Sequence, residues 1–150
     1  MILYRISDCR RADDLSGTGA KLFGGRWNSL GVPMHYMAAS RALAALEVLA
    51  NKSVLTGGNN WCTATFEVPE NSILTIEADD LPKDWRIYPS IALLKKLGDE
   101  FVLQGNFLLL KVPSAVIEDE YNFLMNVYHP LADEVVIKEI KPFRFDGRLT

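Results

Sequence analysis

A single glutamate interrupts an apolar segment of the chain and is the first candidate for chemistry. Glu47 is the only charged residue between Arg41 and Lys52, and helical spacing places it on one face with Leu43 and Ala50. A carboxylate among apolar neighbours is costly unless it is paired or functional. Glu47 is therefore a candidate to stabilise positive charge in a reaction. A glutamate that leans from a helix end into solvent fits the same periodicity equally well.

Arg26 is the second candidate, because it lies in a segment rich in glycine. Residues 16–31 contain five glycines, and Arg26 directly follows two of them and precedes Trp27 and Asn28. The backbone of such a loop can approach a ligand closely, and the planar guanidinium of arginine matches a phosphate or a carboxylate. The alternative is an exposed loop arginine that stacks on Trp27. The segment matches neither the P-loop nor the dinucleotide-binding fingerprint.

Three more polar residues lie where they could join the same site. Tyr36 stands in a predicted strand between the glycine-rich loop and the Glu47 helix, and its ring could stack on a planar heterocycle or belong to the core. Ser114 follows a predicted strand, where its hydroxyl could bind a ligand or cap the next turn. Asn122 precedes a short apolar run, and by itself it favours no particular chemistry.

Hydrophobic periodicity predicts the elements that would position these residues. Alternating and apolar runs predict strands at 3–6, 34–38, 61–68, 72–76, 107–112, 135–140 and 143–145. Helical spacing predicts helices at 41–50, capped by Ser40, and at 90–103. The helix at 41–50 is apolar on almost every side, which predicts burial in the domain centre. Many strands with two or three helices predict an α+β protein, and the lack of repeats or linkers predicts one domain over residues 1–150.

Composition disfavours a role in binding nucleic acid or spanning a membrane. The 150 residues are 49% hydrophobic and carry a formal net charge of -3, with lysine and arginine spread along the chain. Nucleic-acid binding by counterion release needs clustered positive charge, and the apolar runs are too short to cross a bilayer.

The few cysteines and histidines disfavour metal chemistry. Two residues of each type are too few to argue for a zinc site or a disulfide framework. Cys62 alternates with apolar residues and is interpreted as a small core residue. The first residues lack the pattern of a signal peptide, so a cytoplasmic location is the expectation.

Taken together, the candidates stand in a series of short motifs. The series is Tyr4-Arg5, LSGTGA at 15–20, GGRWNS at 24–29, GVPMHYMA at 31–38, AALE at 44–47, LKVPSA at 110–115, EYNFLMN at 120–126, His129-Pro130 and FDGRL at 145–149. In this order, and over nearly the full length, the chain resembles the RES domain, which is named after an arginine, a glutamate and a serine. One departure is Val127, where the family tends to have proline.

The resemblance implies a fold, a substrate and a partner. It maps the three named residues onto Arg26, Glu47 and Ser114, and the tyrosine between the first two onto Tyr36. It implies an ADP-ribosyltransferase-like fold with a mixed sheet core and a few helices, and a toxin that cleaves NAD⁺ at the nicotinamide–ribose bond without a metal. The implied partner is an Xre-type antitoxin with a helix-turn-helix, which would contact DNA, and the toxin could form a homo-oligomer within that complex.

The resemblance also suggests roles for the site residues. Glu47 would stabilise positive charge on the ribose, and Arg26 would bind the pyrophosphate or a phosphate acceptor. Tyr36 would stack on nicotinamide, Ser114 would orient the ribose or the amide, and Asn28 and Asn122 would complete the binding set.

Several alternatives stay open. Water, phosphate or a protein side chain could accept the ADP-ribose, with NAD⁺ degradation ranked ahead of transfer to a protein. A non-catalytic domain that binds a nucleotide or a partner, and an unrelated α+β domain with a purely structural glycine loop, rank lower. The last would be favoured if Arg26 and Glu47 lay far apart.

Overall fold

A seven-stranded mixed sheet organises the computed structural model, which describes residues 1–51 and 60–150. The strands lie in the order β4-β5-β6-β2-β1-β3-β7. β4 and β5 run parallel, and the other neighbouring strands run antiparallel. The strands are β1 (Ile2–Asp8), β2 (His35–Ala38), β3 (Trp61–Glu67), β4 (Ile73–Thr75), β5 (Leu109–Pro113), β6 (Tyr121–Met125) and β7 (Val136–Phe143). The α-helices of the described residues are α1 (Thr18–Phe23), α2 (Arg41–Ala50) and α3 (Ala92–Gln104).

Apolar side chains cover both faces of the sheet. One cluster includes Leu3, Phe66 and Leu109. A second cluster includes Leu94 of α3 and Leu110 of β5. Because Leu109 and Leu110 of β5 are buried on opposite faces of the sheet, the strand begins with consecutive apolar residues rather than with an alternating pattern.

Helix α2 begins as the sequence predicts but is less buried than expected. The Ser40 hydroxyl caps it by accepting a hydrogen bond from the amide of Leu43 at 3.1 Å. Only Leu43 and Ala44 of this helix are buried, and they pack with Ile6 and Ala38 of the sheet. The expectation of a central helix is wrong, because α2 covers the sheet from one side.

Three other elements differ from the predictions. Residues 18–23 of the glycine-rich segment form α1, which at six residues is too short for a periodic signal. Strand β6 was not predicted, because polar residues flank its short apolar run. The two late strands are one strand, β7, that contains Pro142. As β7 lies at the edge of the sheet, it tolerates a residue without an amide hydrogen.

The two cysteines are joined, which composition did not predict. Cys9, just after β1, forms a disulfide with Cys62 of β3. β1 and β3 pair antiparallel with Ser7 opposite Cys62, so the sheet brings the two sulfur atoms together. Cys62 is buried, as the alternation of β3 indicates. None of the helices formed by residues 1–51 and 60–150 is long and apolar enough to span a bilayer.

Candidate active site

Glu47 meets two of the other predicted residues. Its Oε1 accepts a hydrogen bond from the Ser114 hydroxyl at 2.8 Å and another from the Asn122 amide nitrogen at 2.7 Å. Glu47 lies on α2, Ser114 directly follows β5, and Asn122 is the second residue of β6. The structure therefore brings three predicted site residues together from separate elements.

Ser114 combines the two roles that its sequence position left open. Its hydroxyl oxygen accepts from the amides of Val116 at 3.1 Å and Ile117 at 3.2 Å, so it caps the turn after β5. The hydroxyl has one hydrogen to donate. Because two amides already point at the oxygen, that hydrogen is directed at Glu47. Ser114 is 2% exposed, which keeps this arrangement away from water.

Arg26 stands on a tight turn at residues 24–29, here called the Arg26 turn. The amide of Gly25 donates to the carbonyl of Asn28 at 3.1 Å, and the two residues form an isolated antiparallel bridge. Glycine is required at position 25, because a Cβ there would lie 2.7 Å from the Tyr36 hydroxyl oxygen. The turn thus presents Arg26 at its tip.

The guanidinium of Arg26 forms hydrogen bonds with a neighbouring loop and interacts electrostatically with Glu47. Its Nη1 donates to the carbonyls of Trp85 at 3.1 Å and Ile87 at 3.0 Å. Burial lowers the pKa of Arg26, while the negative charge of Glu47 acts in the opposite direction. Arg26 and Glu47 therefore interact electrostatically, which argues against the far-apart arrangement that would favour a purely structural glycine loop.

Tyr36 and Asn28 support this turn. The Tyr36 hydroxyl donates to Oδ1 of Asn28 at 2.6 Å and accepts from the amide of Trp27 at 3.2 Å. The Asn28 amide nitrogen donates to the carbonyls of Ala20 at 2.8 Å and Val32 at 3.0 Å. Asn28 is fully buried, and burial raises the pKa of Tyr36. The polar atoms of both side chains are thus engaged within the protein.

Arg5 adds a basic group that sequence reasoning did not select. It lines a small cavity with Arg11, Asp14 and Tyr36. Its Nη1 lies 2.9 Å from Nδ1 of His35, and because a guanidinium can only donate, Nδ1 accepts. Burial, with the nearby charge of Arg5, lowers the pKa of His35 to about 3. The signal for Arg5 was its place in the Tyr4-Arg5 motif.

Within residues 1–51 and 60–150, no group of three or more histidine, cysteine, aspartate or glutamate residues is arranged so that it could hold a metal ion.

The fold is α+β, and the arginine and the glutamate that the sequence selects interact electrostatically. Residues 2–146 match the RES domain. The chain is 36% identical to the Prs ADP-ribosylating toxin of a Sphingobium species, over 92% of this chain and 88% of that protein. It is 35% identical to Toxin Res of Photorhabdus laumondii, over 99% of this chain and 97% of that protein. The chain therefore belongs to the RES domain family.

A solved structure confirms the α+β fold. It is the toxin–antitoxin complex of MbcT and MbcA from M. tuberculosis. The match has a TM-score of 0.80 at 19% identity and covers 95% of this chain and 84% of the matched chain.

Proposed function

We propose that this protein is the toxin of a toxin–antitoxin pair and that it cleaves NAD⁺ at the nicotinamide–ribose bond. The observation that carries the proposal is the environment of Glu47. This carboxylate is held by Ser114 and Asn122 and interacts with the charge of Arg26. The relatives named as toxins, one of them ADP-ribosylating, support the same class of reaction.

Glu47 supplies the negative charge that the reaction needs. When the bond between ribose C1′ and nicotinamide breaks, its electron pair leaves with nicotinamide and positive charge develops on the ribose. A fixed carboxylate stabilises that charge more in the transition state than in the bound substrate. Both hydrogen bonds that Ser114 and Asn122 donate end on Oε1. Oε2 is then the oxygen that faces the ribose.

Arg26 binds the pyrophosphate of the substrate. Its Nη1 is committed to two backbone carbonyls, which fix the plane of the guanidinium. Among the described residues no acceptor is bonded to Nε or Nη2, so these atoms are the ones that meet a phosphate oxygen. Tyr36 and Asn28 hold the Arg26 turn, and the cavity shared by Tyr36 and Arg5 extends the binding surface.

The acceptor of the ADP-ribose defines the subclass. Water adds its oxygen to C1′ and releases a proton, which makes the enzyme a glycohydrolase, and phosphate makes it a phosphorylase. Transfer to a protein side chain is the second candidate, favoured by the name of the Sphingobium relative. NAD⁺ degradation remains the first candidate, ahead of transfer to a protein.

The proposed partner is an Xre-type antitoxin with a helix-turn-helix. The solved structure that this fold matches is a toxin–antitoxin complex. DNA contact is assigned to the antitoxin, because the net charge of this chain is -3.

Nicotinamide release by the purified chain tests the proposal. The chain, free of antitoxin, is incubated with NAD⁺ with and without phosphate, and a folded Glu47→Gln variant is the control. Release by the wild type alone supports NAD⁺ cleavage, and stimulation by phosphate identifies phosphorolysis. No release in buffer, but label from NAD⁺ on a protein of the host lysate, favours ADP-ribosyl transfer. If NAD⁺ stays intact and no protein is labelled, the proposal that this chain is an enzyme is overturned.

A further inference from the structure

Helix α3 contacts the Arg26 turn along one face. Lys95 of this helix donates from Nζ to the carbonyl of Gly25 at 2.6 Å and to that of Asn28 at 3.4 Å. These carbonyls belong to the two residues that close the turn, on either side of Arg26. One ammonium group therefore ties both ends of the turn to the helix.

Asp99 makes the second contact, one helical turn after Lys95. Its two carboxylate oxygens accept from Ser29, one from the amide at 2.9 Å and the other from the hydroxyl at 2.6 Å. Lys95 and Asp99 are four residues apart, so they share a face of α3. Their opposite charges bind opposite groups of the turn: carbonyls for the lysine and hydrogen-bond donors for the aspartate.

Gly98 lies between these two residues and allows the close approach. A Cβ at this position would lie 1.7 Å from the carbonyl oxygen of Trp27. The peptide that joins Trp27 to Asn28 therefore packs directly on the backbone of α3, and any side chain at position 98 would push the turn away. Glycine in a helix interior is unfavourable relative to alanine, and this contact accounts for its presence.

We propose that Lys95 and Asp99, with Gly98 between them, are positioning residues that place Arg26 toward Glu47. This inference rests on the proposed function of the site. The three residues contact the turn through its backbone and Ser29, so they act on the reaction through Arg26. Without them Arg26 would occupy several orientations, and its binding to the substrate would weaken because orientation must then be achieved at each encounter.

The first test measures the turn itself. Lys95→Met keeps the length of the side chain and removes its charge, and Lys96→Met, at an exposed position on the same helix, is the matched control. Amide hydrogen exchange of residues 25–29 should accelerate about tenfold in Lys95→Met, because local opening becomes easier. Exchange equal to that of Lys96→Met would overturn the proposal.

The second test separates positioning from stability. Lys95→Met should lower kcat/KM for nicotinamide release about tenfold in the wild-type background and less than twofold in an Arg26→Lys background. A loss of equal size in both backgrounds would show that Lys95 acts independently of Arg26 and would overturn the proposal.

A pair of variants at Asp99 covers the case in which Lys95→Met does not fold. Asparagine can still accept from the Ser29 amide and donate to its hydroxyl. Asp99→Asn should therefore keep slow exchange at Ser29, and Asp99→Ala should lose it; equal exchange in the two variants contradicts the inference. If the wild type cleaves no NAD⁺ and labels no protein, the proposed function fails, and the exchange comparison alone decides the role of α3.

Discussion

The two charged centres of the proposed site are held in different ways. Glu47 is fixed by neutral donors, Ser114 and Asn122, that come from the sheet. Arg26 stands on a turn held by the charged side chains of α3, and its guanidinium bonds to backbone carbonyls. The glutamate is therefore positioned by the global strand order, whereas the arginine is positioned by a local contact between a turn and a helix.

This difference predicts different responses to substitution. A change at Glu47 removes the charge itself and leaves the surrounding residues in place. A change around Arg26 displaces a charge that is still present. The first should act mainly on kcat, and the second mainly on substrate binding.

The largest effect is expected from Glu47→Gln. Glutamine keeps an oxygen for Ser114 and Asn122 but loses the negative charge that, in the proposed mechanism, faces the ribose. Turnover should fall roughly 100-fold or more, as it does when one electrostatic stabiliser is removed. Nicotinamide release measures turnover, and thermal unfolding should show a folded protein. Glu100→Gln, at an exposed acid of α3, is the matched control. Wild-type turnover in Glu47→Gln would remove Glu47 from the mechanism.

Arg26→Lys should have the next largest effect. Lysine keeps the positive charge but lacks the planar fork, so it cannot bond Trp85 and Ile87 and still meet a phosphate with fixed geometry. The expected loss in kcat/KM is about 10- to 100-fold, mostly as a higher KM, because binding to the pyrophosphate is shared by substrate and transition state.

Arg144→Lys controls for the general effect of this replacement at an exposed arginine. If Arg26→Lys instead left KM unchanged and lowered kcat, Arg26 would act at the reacting bond. Its role would then not differ from that of Glu47 in the way proposed.

Ser114→Ala should have a moderate effect. It removes one of the two donors to Glu47 and the acceptor for the amides of Val116 and Ile117. The free energy of unfolding should fall by about 1–3 kcal/mol, because partly buried partners lose a hydrogen bond. Asn122 still binds Glu47, so kcat should fall only about tenfold, a loss of roughly one hydrogen bond in the transition state. A loss as large as that of Glu47→Gln would mean that Ser114 itself contacts the substrate.

Local signals predicted much of the fold. The Ser40 cap, the alternation of β3 and the apolar start of β5 each follow from a few neighbouring residues. The meeting of Glu47 with Asn122 does not, because it depends on β6 pairing with β2. Strand pairing between distant segments leaves no local signal. The disulfide was not predicted for the same reason, because it depends on the pairing of β1 with β3.

Gly98 shows how a local rule can mislead. In the sequence it weakens the prediction of a helix, since glycine is a poor helix former. In the structure it is the residue on which the carbonyl of Trp27 packs. Glycine is needed at position 98 because the Arg26 turn packs there, although the turn is more than 65 residues away along the chain. The place of Arg5 also could not be predicted from its neighbours in sequence, because its cavity is formed by residues of several segments.

The smallest effect on activity is expected from Tyr36→Phe. This change removes the hydroxyl that joins Asn28 to the amide of Trp27. Two buried polar groups then lose a partner, so the free energy of unfolding should fall by about 1–3 kcal/mol. Where the variant is folded, kcat should change by less than about threefold, since Lys95 and Asp99 still hold the turn and the ring is kept. Tyr128→Phe, at an exposed tyrosine, is the control for stability. Urea unfolding and nicotinamide release measure the two quantities. A loss of activity near that of Glu47→Gln, with little loss of stability, would show that the Tyr36 hydroxyl acts on the substrate rather than on the turn.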